Sequence, residues 1–225
     1  GFDDYCFKNL LIDGKTASKL IEHSAIRGVT FTGSDETGKK VAELAGKQVK
    51  KTVLELGSND AYVVLDDADL NTAITACTQG RLINNGQTCV AAKRFIVVDA
   101  LYDDFKALIK EQFEQVVLGD PNDEKTTLGP MARKDLRDKL HQQVTDSVNA
   151  GASIVTGGNV AEHTGFYYTP TLLENIKPGM PAYDDELFGP VASLIRAKDN
   201  DEAMQIANDS RYGLGGGIFS KDEQA

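Results

Sequence analysis

The chain has 225 residues, 24 basic and 34 acidic, for a formal net charge of −10. That excess of acid excludes the basic footprint of a nucleic-acid or anionic-membrane surface, and no apolar run approaches the ~20 residues that span a bilayer. The three cysteines, Cys6, Cys77 and Cys89, are far apart and belong to no CxxC or Cys/His cluster, which excludes a disulfide framework and a zinc site and points to a reducing cytoplasm.

The length suits one large domain or parts of two. The first residues lack the basic segment and apolar core of a secretion signal. Residues 7–12 read as a strand ending at Asp13-Gly14. Residues 16–23 have helical spacing at Ala17, Leu20 and Ile21. Residues 27–32 read as a second strand. Gly33-Ser34-Asp35-Glu36-Thr37-Gly38 then leads into a helix with Val41, Leu44 and Ala45 on one face. Residues 52–57 are an apolar run with one carboxylate, Glu55; as a strand it is expected to be buried on both faces.

Residues 61–65 are the next strand, and the cap-rich Asp66-Asp67-Ala68-Asp69-Leu70 opens a helix to about Leu82. Residues 95–98 are a strand. Residues 101–117 follow as an amphipathic helix with Phe105, Leu108, Ile109 and Phe113 on one face. Asp120-Pro121-Asn122-Asp123 is a turn, and Gly129-Pro130 leads to a helix over residues 133–150. Residues 153–156, 170–174 and 192–195 read as strands, 201–208 as a helix, and 215–220 as a last, glycine-led strand. This alternation predicts an α/β fold of open, mostly parallel sheets with helical crossovers. Such a sheet does not ordinarily begin with its first residue, so earlier strands are expected to be missing.

The chemistry sits in Asn84-Asn85-Gly86-Gln87-Thr88-Cys89-Val90, where a cysteine follows a Gly-Gln turn between a helix and a strand. Thiols attack as thiolates, and an ordinary cysteine, with a pKa of about 8.5, is only slightly ionised at neutral pH. Such a nucleophile needs a base or a positive field. Glu55 is the base candidate, since a buried carboxylate has a raised pKa and can move protons near pH 7. A lone cysteine is otherwise a small packing residue. The loop at 33–38 turns a strand into a helix, where amide groups attract phosphate. The fingerprint G-x-G-x-x-G is absent, and Ser34 and Asp35 equally suit a plain helix cap. Glu186-Leu187-Phe188-Gly189-Pro190 reads as an acidic loop closed by a Gly-Pro turn.

Four segments in order, Phe31-Thr32-Gly33-Ser34, Val53-Leu54-Glu55-Leu56-Gly57, Asn85-Gly86-Gln87-Thr88-Cys89 and Glu186-Leu187-Phe188-Gly189-Pro190-Val191, resemble the signatures of the aldehyde dehydrogenase superfamily. That family carries its glutamate in L-E-L-G-G and its nucleophilic cysteine in N-x-G-Q-x-C. Ser58 replaces the second glycine. The wider pattern over residues 80–95 is similar to a bacterial subgroup labelled succinate-semialdehyde dehydrogenase-like.

The resemblance implies that residues 1–57 end an NAD(P)-binding domain and that residues 58–225 form most of a catalytic domain. It implies Cys89 as nucleophile and Glu55 as base. It assigns Gly33, Ser34, Leu56, Gly57, Glu186 and Phe188 to NAD or NADP, with Gly33 and Ser34 against the pyrophosphate, Glu186 on the nicotinamide-side ribose and Phe188 near the nicotinamide. A ribose diol suits a bidentate acceptor and a ring suits an apolar face. The implied reaction oxidises an aldehyde to a carboxylic acid through a thiohemiacetal and a thioester, without a metal. The implied assembly is a homodimer or homotetramer.

Two parts of the family's machinery, an oxyanion-binding asparagine and a cofactor lysine, have no match here. Two other readings stay open: a catalytically incomplete piece, and a CoA-acylating dehydrogenase, although Glu55 favours water as the acceptor. Arg81 reads as a solvated helix arginine or as an anchor for an acidic substrate tail. Ile83 stands where succinate-semialdehyde dehydrogenases carry an arginine, which counts against that substrate. Cys6 and Cys77 read as packing residues, and His23, His141 and His163 as surface or helix residues without a role.

Overall fold

The computed structural model describes residue 3 and residues 5–222. The chain divides into two compact units, Gly1–Gly57 and Ser58–Ala225.

In the first unit α1 spans Gly14–Glu22, β1 Gly28–Thr32, α2 Asp35–Lys47 and β2 Lys51–Glu55. Asp13 caps α1 by accepting from Thr16 N at 2.8 Å. Lys50 closes the other end, donating to His23 O at 2.7 Å and to Ile21 O, as a cation does at a helix C-terminus. The two strands pair in parallel, with Thr32 beside Glu55 at their carboxyl ends. Helix α2 buries Gly38, Val41 and Ala45.

Two expectations fail in this unit. Residues 7–12 form no strand, and Phe7 and Leu11 are 85% and 97% exposed. A strand needs a neighbour for its backbone groups, and among the described residues β1 and β2 pair only with each other. Nor is β2 buried on both faces: four of its five residues, Glu55 among them, are exposed. Full burial needs strands on both sides and layers on both faces; β2 has one partner strand. Cys6 is exposed rather than packed, whereas Cys77 in the second unit is buried.

The second unit is a six-stranded sheet in the order β5-β6-β7-β4-β3-β8, with β3 Ala61–Val64, β4 Arg94–Val98, β5 Ser153–Thr156, β6 Thr171–Glu174, β7 Val191–Ala197 and β8 Gly216–Phe219. All neighbours are parallel except β5 and β6. The helices are α3 Leu70–Leu82, α4 Asp99–Glu114, α5 Lys134–Asn149, α6 Pro181–Asp184 and α7 Asn200–Asn208. Strand β4 is buried at every position. Its Phe95 and Val97 face the α3 and α4 side with Cys77, Phe105 and Ile109. Its Ile96 and Val98 face the α5 and α7 side with Leu140, Val144 and Ala203. A parallel sheet covered on both faces gives the continuous apolar runs seen in the sequence. Helix α6 is too short for its periodicity to be read; Pro181 at its start was its one signal. No helix among the described residues is long and apolar enough to cross a membrane.

Phe105 is fully buried and meets Phe95 edge-on, with ring centroids 5.9 Å apart. Phe105→Ala is expected to cost about 3–5 kcal/mol of unfolding free energy, read as a lower urea midpoint with an unchanged slope.

Candidate active site

Four segments converge in the second unit, each just before the amino end of a strand. Residues 58–60 lead into β3, residues 87–93 into β4, residues 186–190 into β7, and Gly215 into β8. The cysteine turn begins where α3 ends. Asn84, Asn85 and Gly86 all take positive φ, at 49°, 57° and 68°, so the chain reverses sharply. Asparagine and glycine are the residues that bear this conformation at least cost. The Asn85 side chain donates to Pro130 O at 3.0 Å, and Gln87 Oε1 accepts from Ala132 N at 2.8 Å. Both motif amides therefore anchor the turn to the segment before α5.

Glycine is required at position 86 on two counts. A Cβ there would lie 2.2 Å from Gly189 O and 2.5 Å from Arg81 Nη2. Arg81 donates from Nη2 to Gly86 O at 2.6 Å and is fully buried. It is neither the solvated arginine nor the free anchor that the sequence suggested. Burial pushes its pKa down to about 9, against the pull of Glu186 and Asp60.

Cys89 is half-buried, and its carbonyl accepts from Lys93 Nζ at 2.7 Å and from Ser58 Oγ. Lys93 also donates to Ser58 Oγ at 2.9 Å and forms an ion pair with Glu186 Oε1 at 3.4 Å. Glu186 Oε1 accepts from Ser58 N at 3.1 Å as well. Loop 186–190 is held by Leu187, which is buried in the core, and by Gln143 Nε2, which donates to Glu186 O at 3.2 Å. Cys89 and Glu186 thus share one lysine, and Glu186 is no solvated loop carboxylate. Its Oε2 takes no hydrogen bond from the described residues and its side chain is 18% exposed, which leaves an acceptor facing outward, as a diol requires. Phe188 is half-buried in the same loop.

The residues that sequence reading missed are Lys93 and Arg94 with their partners at 58–60. Arg94 donates from Nε to Asn59 O at 3.0 Å, and from Nη1 and Nη2 to Ile206 O and Ala207 O, both at 2.9 Å, at the carboxyl end of α7. Asn59 donates to Tyr183 O at 2.7 Å, and Asp60 accepts from Gly215 N at 3.1 Å. The available signal was two adjacent cations at the entry to a strand otherwise wholly apolar.

Gly33, Ser34, Glu55, Leu56 and Gly57 belong to the first unit. Gly33 N donates to Glu55 O at 3.0 Å, which joins the end of β2 to the loop after β1. Ser34 caps α2, accepting from Thr37 N at 3.4 Å. Leu56 lies against Gly38, where a Cβ would come within 2.4 Å of its side chain. These residues occupy the carboxyl ends of the parallel pair, where α/β sheets bind ligands, next to the amino end of a 13-residue helix that favours phosphate. Among the described residues no group of three or more His, Cys, Asp or Glu is placed to hold a metal.

The sequence profile of the Aldehyde dehydrogenase family matches residues 2–225. Succinate-semialdehyde dehydrogenase [NADP(+)] of Deinococcus radiodurans is 46% identical over 222 residues, covering 99% of this chain and 46% of that protein. An enzyme of the same name from Mycobacterium ulcerans is 43% identical, covering 99% of this chain and 49% of that protein. The chain thus spans about half the length of the curated relatives it matches. A crystal structure of succinic semialdehyde dehydrogenase from Streptococcus pyogenes in complex with NADP+ superposes with a TM-score of 0.93 at 40% identity, over 96% of this chain and 48% of that one. Betaine aldehyde dehydrogenase from Staphylococcus aureus in complex with NAD+ gives 0.88 at 32% identity, over 92% and 42%.

Lys93 is 1% exposed, and its pKa is pushed down to about 8, first by burial and then by Arg81, while Glu186 and Asp60 pull it upward. Between the folded value near 8 and the unfolded value near 10.5, the unfolded chain holds a proton that the folded chain has released. This group's contribution to stability therefore rises with pH across that window and is lost as pH falls through 8. Relative to Lys93→Met, which does not titrate, the wild type is expected to gain on the order of 1–2 kcal/mol between pH 7 and pH 9.5, measured by denaturant unfolding at both.

Proposed function

The chain belongs to the aldehyde dehydrogenase family, and on that premise we propose that the protein oxidises an aldehyde to a carboxylic acid with NAD or NADP as hydride acceptor. The names of its relatives favour succinate semialdehyde as substrate and NADP+ as acceptor. One observation carries the reading: Cys89 and Glu186, far apart in sequence, are tied to one buried lysine.

Cys89 Sγ is the nucleophile. Its thiolate adds to the aldehyde carbon and gives a tetrahedral oxyanion. The turn behind it, locked by Gly86 and Gln87, orients the sulfur. A bound nicotinamide would accept the hydride. Gly33, Ser34, Leu56, Gly57, Glu186 and Phe188 are the residues that would hold that cofactor, each by its match to the family's motifs. Glu55 takes a proton from the water that attacks the thioester, releasing the acid and regenerating the thiol. Its exposure at the end of β2 leaves it open to water. The whole protein works as a homodimer or homotetramer in the cytoplasm, where Cys89 stays reduced.

The test is NAD+ and NADP+ reduction by the full-length protein over a panel of short aldehydes, succinate semialdehyde included, with and without CoA. Turnover that produces free acid without CoA is the expected result; acyl-CoA as the sole product would reassign the acceptor. Cys89→Ala is expected to lose turnover by at least ~10⁴-fold while retaining cofactor affinity. Glu55→Gln is expected to accumulate acyl-enzyme, seen as a mass increment on Cys89. Wild-type activity in Cys89→Ala would remove the nucleophile assignment.

A further inference from the structure

We propose that Lys93 is a positioning residue, an internal cation on which the nucleophile turn and the Glu186 carboxylate are assembled together. The inference rests on the proposed function for what the turn does, and on geometry for the rest. Five oxygen atoms surround Nζ: Cys89 O at 2.7 Å, Ser58 Oγ at 2.9 Å, Ala91 O at 3.2 Å, Thr88 O at 3.4 Å and Glu186 Oε1 at 3.4 Å. Three of them are backbone carbonyls of a single four-residue turn, Thr88-Cys89-Val90-Ala91. Carbonyl oxygens turned toward one point repel each other, and a cation at that point reverses the sign. An ammonium has only three N–H donors for five acceptors, so its charge, beyond its hydrogen bonds, holds the set.

Ser58 belongs to the same device. Its hydroxyl accepts from Lys93 and donates to Cys89 O, and its backbone N–H donates to Glu186 Oε1. Glycine at this position, as in the L-E-L-G-G signature, would keep the N–H and lose the hydroxyl. The charged groups that act on the ammonium are Glu186 from the loop before β7, Asp60 from the segment before β3 and Arg81 from α3. Burial and Arg81 outweigh the two acids, yet the group keeps its proton at neutral pH, and as the ammonium it holds the carbonyls. Displacing it moves the sulfur and the Glu186 carboxylate at once.

The experiment uses the full-length protein with Lys93→Met, which keeps the stem and loses the charge, and Lys93→Arg, which keeps the charge. Melting temperature, kcat, KM for NADP+ and the alkylation rate of Cys89 by iodoacetamide, followed by peptide mass, are measured on each. Lys93→Met is expected to lower kcat about 10²-fold, raise KM for NADP+ about tenfold and shift the alkylation rate about tenfold, while Lys93→Arg recovers at least about a tenth of wild-type kcat. A folded Lys93→Met within about twofold of wild type in kcat and alkylation overturns the proposal, since misplacement of the sulfur costs far more. Equal losses in both variants that follow only the melting temperature also overturn it.

Should Lys93→Met not fold, Ser58→Ala decides: a shift of about threefold or more in alkylation supports the proposal and an unchanged rate overturns it. Alkylation needs neither aldehyde nor cofactor. A wild type that oxidises no aldehyde would therefore sink the proposed function, while the alkylation comparison still judges Lys93.

Discussion

An ammonium taken out of water costs several kcal/mol unless oxygen atoms replace its hydration shell. Lys93 meets that condition with backbone carbonyls, a hydroxyl and a carboxylate drawn from three separate segments of the second unit. None of those segments can shift alone without leaving charge uncompensated. Arg94 repeats the logic on its own side of the chain. Successive residues of an extended strand point to opposite faces, so Lys93 reaches the cysteine turn while Arg94 reaches the carboxyl end of α7. Both brace residues 58–60, Lys93 through Ser58 and Arg94 through Asn59. One dipeptide thus fixes the segment entering β3, the turn entering β4 and the loop entering β7.

The position of these loops on the sheet follows from that bracing. Open parallel sheets ordinarily bind ligands outside the carboxyl ends of their strands. In the first unit the candidate residues Gly33 and Glu55 lie at the carboxyl ends of β1 and β2. The second unit gathers its loops at the amino ends of β3, β4, β7 and β8. A loop at an amino end must terminate in a buried strand within a few residues. Buried cations at the entry to β4, Lys93 just before it and Arg94 at its first position, make that transition tolerable, because they turn the loop carbonyls from unsatisfied acceptors into ligands.

The strand and helix rhythm of the second unit was legible because its sheet is covered on both faces, which writes itself as short apolar runs between capped helices. The first unit misled for the complementary reason. Residues 7–12 and 52–55 have the composition of buried strands, yet composition reports propensity and burial needs neighbours. Arg81 misled in the same way. An arginine on a helix is usually solvated, and only the fold reveals that position 81 faces the Gly86 carbonyl. The motif residues Cys89, Glu186 and Phe188 were legible by resemblance. Lys93 was not, since a lysine at a strand start has no local signature, and its role depends on a serine 35 positions earlier and a glutamate 93 positions later.

The glycines of the two best-marked loops carry the argument one step further. A side chain at Gly86 would run into Gly189 O, and a side chain at Gly189 would come within 2.3 Å of Leu140 in the core of the second unit. The Gly-Gln turn therefore rests on the Gly-Pro loop, and the Gly-Pro loop rests on α5. Read as separate motifs, each glycine suggests only a tight turn. Read as a stack, they are two successive contacts, Gly86 on the Gly189 carbonyl and Gly189 on the Leu140 side chain. The Cys89 turn is then seated, through Gly189, on Leu140 and its helix.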